Sequence, residues 1–266
     1  LPEIYFYKSI YNKGYMQGRV LTIAGSDSGG GAGIQADIKT ITVLGGYAMT
    51  AITALTAQNT LGVHGVHPVP PAFIAQQINV VLDDIGADAI KIGMLHTAEV
   101  IEAVAQALKS HPSIPLVLDP VMVAKGGARL LEDSAVDALL THLVPRATVV
   151  TPNIPETEAL GGVQALLTAG AGAVLLKGGH DAGETVIDRL LTNAGEIERF
   201  NALRQHTRHT HGTGCTYAAA IATGLAQGMP LREAIAWAFS YLQQAIATAP
   251  GFGKGQGPVN HAVVCS

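Results

Sequence analysis

Short, continuously apolar runs separated by helical stretches constrain this chain more than any other feature. The runs cover 20–25, 48–55, 89–94, 116–119, 148–151 and 173–176. They do not alternate apolar with polar residues, as a strand with one wet face does. They read instead as strands buried on both faces. Helical patterning fills most of the gaps, over 34–44, 71–84, 98–109, 134–143 and 155–160. Buried strands repeated with helices fold as a mostly parallel sheet covered on both sides, so the expected class is α/β, a three-layer α/β/α sandwich. The segments 184–191 and 196–202 break the rhythm and read as an antiparallel pair around Asn193-Ala194-Gly195. Two long helical patterns, 215–227 and 231–247, close the chain. There is no internal repeat and no linker, so 16–266 is expected to form a single domain.

Composition excludes several classes of function. The 266 residues carry a net charge of −4 with only 16 Lys plus Arg and no basic stripe, so nucleic acid is not an expected partner. No apolar run approaches the roughly 20 residues of a membrane helix. The two cysteines, Cys215 and Cys265, form no disulfide framework, which fits a reducing cytoplasm. Residues 1–15 hold four of the seven tyrosines and precede Met16. They lack the continuous apolar core of a signal peptide and are expected to be a leader outside the domain.

The chemistry concentrates at strand ends and at one helix start. His211-Gly212-Thr213-Gly214-Cys215-Thr216 leads into an apolar helical run. A helix N-terminus offers free N–H groups and a favourable dipole to an anion. It also lowers a thiol pKa, so Cys215 is a candidate thiolate base, against the plainer reading of a small buried residue. The first strand ends in Gly25-Ser26-Asp27-Ser28-Gly29-Gly30-Gly31-Ala32-Gly33. Within it Gly31-x-Gly33-x-x-Ala36 matches a dinucleotide fingerprint weakly, because the second strand ends in Gln58-Asn59 rather than an acid. No Walker-type phosphate loop is present. Gln58 has the donor and acceptor needed to read a heterocycle, or belongs to an ordinary polar loop. Asp119 and the Asn153-x-x-Glu156 pair can hold magnesium, or serve as turn and helix cap. Lys177, before Gly178-Gly179-His180, can reach phosphate or lie solvated in a hairpin. Lys254 sits in a second glycine segment, a flap or a tail. His206, His209 and His211 cluster without a zinc-type spacing.

Taken together and in order, these motifs resemble the bacterial hydroxymethylpyrimidine/phosphomethylpyrimidine kinases of thiamine biosynthesis. The segments carrying the resemblance are 24–37, 53–60, 91–95, 119–122, 151–156, 177–180, 211–216 and 253–255. The resemblance implies a ribokinase-like fold, ATP with Mg2+, a small aminopyrimidine substrate and a cytoplasmic homodimer. It implies that Gln58 reads the ring, with Gly25, Asp37, Met94 and Val121 around it. Asn153, Glu156, Thr213 and Lys254 would serve the nucleotide and its phosphates. Glu156 and Asp119 would serve the metal, and Lys177 would contact phosphate. Gly212 and Gly214 would supply transition-state N–H groups. Cys215 falls where sugar kinases of the superfamily carry an aspartate base. Two departures stand out: a short segment between Glu156 and Lys177, and the Tyr-rich leader. The rival readings are a pyridoxal or pyridoxine kinase of the same fold, a NAD-binding oxidoreductase, and a non-catalytic vitamin-binding protein.

Overall fold

The structure is a computed structural model that describes residues 17–123, 127, 130–132, 134–180 and 183–263. The expected leader lies outside the described residues. The elements run β1 (Arg19–Asp27), α1 (Gly33–Val43), β2 (Tyr47–Asn59), β3 (Gly62–Pro68), α2 (Pro71–Asp84), β4 (Ala89–Ile92), α3 (Ala98–Leu108), β5 (Leu116–Leu118) and α4 (Ala135–Ala138). They continue with β6 (Val149–Val150), α5 (Ile154–Ala159), α6 (Val163–Thr168), β7 (Val174–Leu176), β8 (Thr185–Thr192), β9 (Gly195–Leu203), α7 (Thr213–Ala226) and α8 (Leu231–Ala247).

One nine-stranded sheet has the order β3-β2-β1-β4-β5-β6-β7-β8-β9. The stretch from β2 to β7 is parallel. Antiparallel strands close both edges, β3 on one side and β8–β9 on the other. Successive strand residues point to opposite faces. Val20, Ala89, Val117 and Val149 therefore pack under α1, α7 and α8. Their neighbours Leu21, Ile90, Leu116 and Val150 pack under α2 and α3. This is the expected three-layer sandwich. The helix α7 is buried at every position from Thr216 to Gly224. Its run of alanines lets it lie close to the sheet while α8 covers its other side.

Three departures from the sequence reading have physical causes. The strand β3 was not anticipated, because its sequence GVHGVHP is mostly exposed and lacks an apolar face. It pairs with the outer half of β2, which is why β2 runs to Asn59 rather than ending at 55. The helix expected over 134–143 shrinks to α4, followed by a π-turn at Leu139–Leu143 and a 3-10 turn at Val144–Arg146. Pro145 has no N–H to extend an α ladder there. The central strands β5, β6 and β7 span three, two and three residues. Asp119, Thr151 and Lys177, just past them, leave the strands and turn to other partners. The short segment between Glu156 and Lys177 is built from α5 and α6, joined through Gly161 and Gly162 with φ of 83° and 94°.

Burial sets the energetics of substitution. Ile92 on β4 is 0% exposed and Leu61 at the β2–β3 turn is 64% exposed. Ile92→Ala is expected to lower unfolding stability by about 2–5 kcal/mol. Leu61→Ala is expected to change it by less than about 0.5 kcal/mol. Urea denaturation of the two variants checks the contrast.

Candidate active site

The carboxyl ends of the parallel strands open onto one cavity of about 770 Å3. Strand order sets the sequence of groups along it: Gln58 after β1 and β2, then Met94, Asp119, Asn153 and Lys177. Gly25, Val121 and Glu156 also line it, as do Gly212, Thr213, Gly214 and Cys215 at the start of α7. The sheet therefore brings together almost every residue singled out from the sequence. Two are corrected. Asp37 lies buried beneath the cavity rather than on its wall. Lys254 is exposed away from the cavity, where its carbonyl accepts from Arg208 Nη1 at 3.4 Å.

The start of α7 is shaped by close packing. Gly212 has φ 79° and no side chain caps the helix. A Cβ on Gly212 would sit 1.8 Å from the Gly31 carbonyl oxygen, so no other residue fits. On Gly214, a Cβ would lie 3.3 Å from Asp119 Oδ2 and 3.4 Å from Lys177 Nζ. The first turn thus presents bare backbone beside the Lys177 ammonium, which suits an anion, with the Asp119 carboxylate close by and opposing it.

Cys215 does not behave as the helix position alone suggested. Burial pushes its thiol up to about 11. Lys91 and a hydrogen bond from the Gly33 backbone pull it down, while Asp37 and Asp119 add to the rise. Desolvation outweighs the helix N-terminus, and the group at neutral pH is a thiol.

Beneath the cavity, Lys91 Nζ lies 2.8 Å from Asp37 Oδ2, with both side chains 0% exposed. The Thr22 hydroxyl donates to the same oxygen. Burial works against the ammonium, and Asp37, Cys215 and Asp119 more than restore it, so Lys91 stays charged. Oδ2 of Asp37 is taken up by this pair, Oδ1 is buried without a partner, and the residue does not line the cavity.

Lys177 Nζ lies 2.8 Å from Asp119 Oδ1 and 4.0 Å from Glu156 Oε2. The Thr151 hydroxyl donates to the same Asp119 oxygen at 3.0 Å. Asn153 and Glu156 form a reciprocal helix cap: Glu156 N donates to Asn153 Oδ1 at 2.9 Å and Asn153 N to Glu156 Oε2 at 2.8 Å. The plainer role weighed for this pair is real, and it also aims the carboxylate at Lys177. Burial pushes Glu156 above the usual carboxylate range, with Lys177 opposing. Two buried carboxylates around one ammonium leave negative charge uncompensated. That fits a divalent cation shared with ligand phosphates. Among the described residues no group of three or more His, Cys, Asp or Glu holds a metal by itself.

Three cavity residues escaped the sequence reading. Asp27 accepts from Gly29 N, Gly31 N and Ala32 N at 2.8, 3.0 and 2.8 Å, and its Oδ2 lies 2.8 Å from His211 Nε2. Burial opposes its charge, but His211 and these N–H groups hold it below the usual carboxylate range. An Asp before Ser-Gly-Gly-Gly is a turn signal that pointed to Asp27. His211, whose spacing from His206 and His209 fits no zinc pattern, is instead the hydrogen-bonding partner of Asp27. Asp188, on β8, accepts from Gly178 N at 2.8 Å. Nothing in the sequence around it marks it. Near it the cavity ends in an apolar slot of Val186, Leu242 and Ile246.

The glycines of the weak dinucleotide fingerprint answer to protein packing, although Gly33 also lines the cavity. A Cβ on Gly33 would meet the Gly25 carbonyl oxygen at 2.2 Å, so this glycine admits protein backbone.

Comparison with known proteins gives a consistent result. Residues 27–260 match the family profile of phosphomethylpyrimidine kinase. The chain is 52% identical over 259 residues to the thiamine biosynthesis bifunctional protein ThiED of Geobacter sulfurreducens, covering 93% of this chain but 53% of that protein. It is thus similar to about half of that relative. It is 48% identical to the hydroxymethylpyrimidine/phosphomethylpyrimidine kinase of Haemophilus influenzae, over 91% of this chain and 96% of the relative. Among solved structures, the ADP complex of Bacillus subtilis pyridoxal kinase superposes with a TM-score of 0.85 at 36% identity, over 92% of this chain and 98% of that one.

Asp188 generates a pH prediction. Burial raises its carboxyl to about 6 in the folded chain, against about 3.9 in an unfolded one. A raised carboxyl favours the protonated fold, so a penalty of about 3 kcal/mol is present above pH 6 and fades as pH falls toward 4. Asp188→Asn keeps an oxygen for Gly178 N. It is expected to raise Tm at pH 8, with only about a third of the gain left at pH 4.5. An equal change at both pH values in thermal melts would assign the effect to packing.

Proposed function

The chain belongs to the phosphomethylpyrimidine kinase family, and we propose on that basis that it phosphorylates 4-amino-5-hydroxymethyl-2-methylpyrimidine with ATP. It then phosphorylates the monophosphate, giving the diphosphate used in thiamine biosynthesis. The observation that carries this reading is the order of groups along one cavity. An amide beside Met94 and Val121 comes first, then a charged centre facing a bare helix N-terminus, then an apolar slot. A heterocycle, a row of phosphates and a nucleobase fit that order.

Phosphoryl transfer asks for alignment and charge neutralisation more than covalent chemistry. Gln58 orients the ring so that the hydroxymethyl oxygen faces the charged centre. Backbone N–H groups at Gly214 and Cys215 stabilise the oxygens of the transferring group, and Lys177 neutralises further charge. Asp119 and Glu156 would hold Mg2+, which supplies countercharge to the phosphates. Cys215 accepts the hydroxyl proton only in its minor thiolate form. The second acceptor is already an ionised phosphate and needs no base.

Two outcomes are expected. In a coupled kinase assay, kcat/KM for hydroxymethylpyrimidine exceeds that for pyridoxal; the reverse preference would make the chain a pyridoxal kinase, and NADH fluorescence titration should show no binding. For the first transfer, log kcat climbs with pH toward about 11, because the active form is the deprotonated thiol. Cys215→Ala should flatten that climb and lower the first transfer by about 100-fold or more. The second transfer should lose far less. Equal loss in both steps would assign Cys215 to packing.

A further inference from the structure

Hydrogen bonds and adjacent residues of the chain join the backbone of Gln58, at one end of the cavity, to the start of α7, and the path passes through one imidazole. It begins at Gln58, whose N donates to Ser28 Oγ at 2.8 Å while that hydroxyl donates to Gln58 O at 2.9 Å. Ser28 follows Asp27 in the glycine turn after β1. Asp27 gathers that turn through Gly29, Gly31 and Ala32, then meets His211 Nε2 at 2.8 Å. His211 adjoins Gly212, the residue from which α7 starts.

The imidazole is held on all sides. Its own N–H on the main chain donates to Gly257 O at 3.0 Å. Its ring lies so close to Gly31 that a Cβ there would sit 2.5 Å from Cδ2. Asp27 is ionised and accepts only, so Nε2 carries the proton and donates. Gln58 Nε2 lies 3.4 Å from that same nitrogen. Two N–H groups do not bond each other, so the Gln58 amide nitrogen draws nothing from His211 and stays available to a ligand.

We propose that His211, as an Nε2–H donor to Asp27, is a positioning residue that keeps the ring-reading wall and the α7 N-terminus in one fixed relation. The inference rests on the kinase reading of this cavity. His211 need not touch the reacting atoms. Its work is to hold the acceptor and the anion site at transfer distance. Misplacement on the scale of 1 Å reduces transfer by up to about 100-fold with little change in binding.

The test compares two amides that differ by one methylene. His211→Gln places an N–H near the Nε2 position and keeps the donor to Asp27. His211→Asn keeps the polarity but its amide falls short. The probe is whichever of hydroxymethylpyrimidine and pyridoxal the wild-type chain phosphorylates faster. A wrong substrate assignment then shows in the wild type, and a wrong coupling shows in the variants. Expected for His211→Asn is a kcat lower by about 10–100-fold, with Kd for the probe, titrated without ATP, changed by less than about threefold. His211→Gln should recover most of the rate. Equal kcat in the two variants, or a loss that appears in Kd instead of kcat, overturns the proposal. Thermal melts of both variants within a few degrees of wild type assign the loss to positioning; a loss of kcat that merely tracks Tm overturns it too.

Discussion

Everything at the cavity depends on a helix that is buried all round yet ends in bare N–H groups. The helix α7 is clamped between the sheet and α8, so its N-terminus cannot move to meet a ligand. It has no side-chain cap of its own, and what it leaves open the ligand must fill. Its position is set by contact of backbone on backbone, with Gly212 against Gly31. That contact makes the glycine turn after β1 part of the anion site, although the turn belongs to the opposite end of the chain. A side chain at either place would separate the two walls and widen the cavity where alignment matters most.

Charge is arranged around that helix in two buried layers. Below lies the Lys91–Asp37 pair, wholly withdrawn from solvent. Above lies Lys177 between Asp119 and Glu156. A buried pair is weak evidence for stability, because desolvation offsets most of the attraction. Its value here is spatial. The lower pair keeps a fixed cation near Cys215, and the upper one keeps a lysine at the strand end beside the first turn of α7. The uncompensated charge on Glu156 and Asp119 is the complement of a cation that would arrive with the nucleotide.

The layer architecture was legible because buried parallel strands announce themselves. Val20–Leu21 and Val117–Leu118 are apolar on both faces, and no other sheet type asks for that. The wall of the site was legible for a related reason: polar residues directly after such runs, as at Gln58, Asp119, Asn153 and Lys177, have only one edge to face. What escaped was whatever depends on packing in three dimensions. Asp37 looks like any polar helical residue until Lys91 is found beneath it. Asp188 sits in an ordinary hairpin strand. His211 was judged among neighbouring histidines, when its partner Asp27 lies 184 positions away. The thiol of Cys215 was misjudged because a helix N-terminus can be named from sequence, whereas the desolvation that overrides it cannot.

That reversal at Cys215 bears on why a thiol stands there at all. The resemblance drawn from the sequence implies that sugar kinases of the superfamily would have an aspartate at that point. A carboxylate would be almost wholly in its basic form at neutral pH, though a weaker base than a thiolate. It would also face an already phosphorylated acceptor with like charge, and in a desolvated cavity that repulsion is large. A thiol raised to about 11 carries no charge at neutral pH. It would let an anionic acceptor approach the N–H groups of α7 without repulsion from Cys215, while the small thiolate fraction already present could accept the proton of an alcohol. Under the proposed function, the first transfer would be limited by the small thiolate fraction, and the second would meet a neutral group. If the cavity takes both a neutral alcohol and its phosphate, as proposed, a group that is neutral at rest suits the pair better than a permanent negative charge.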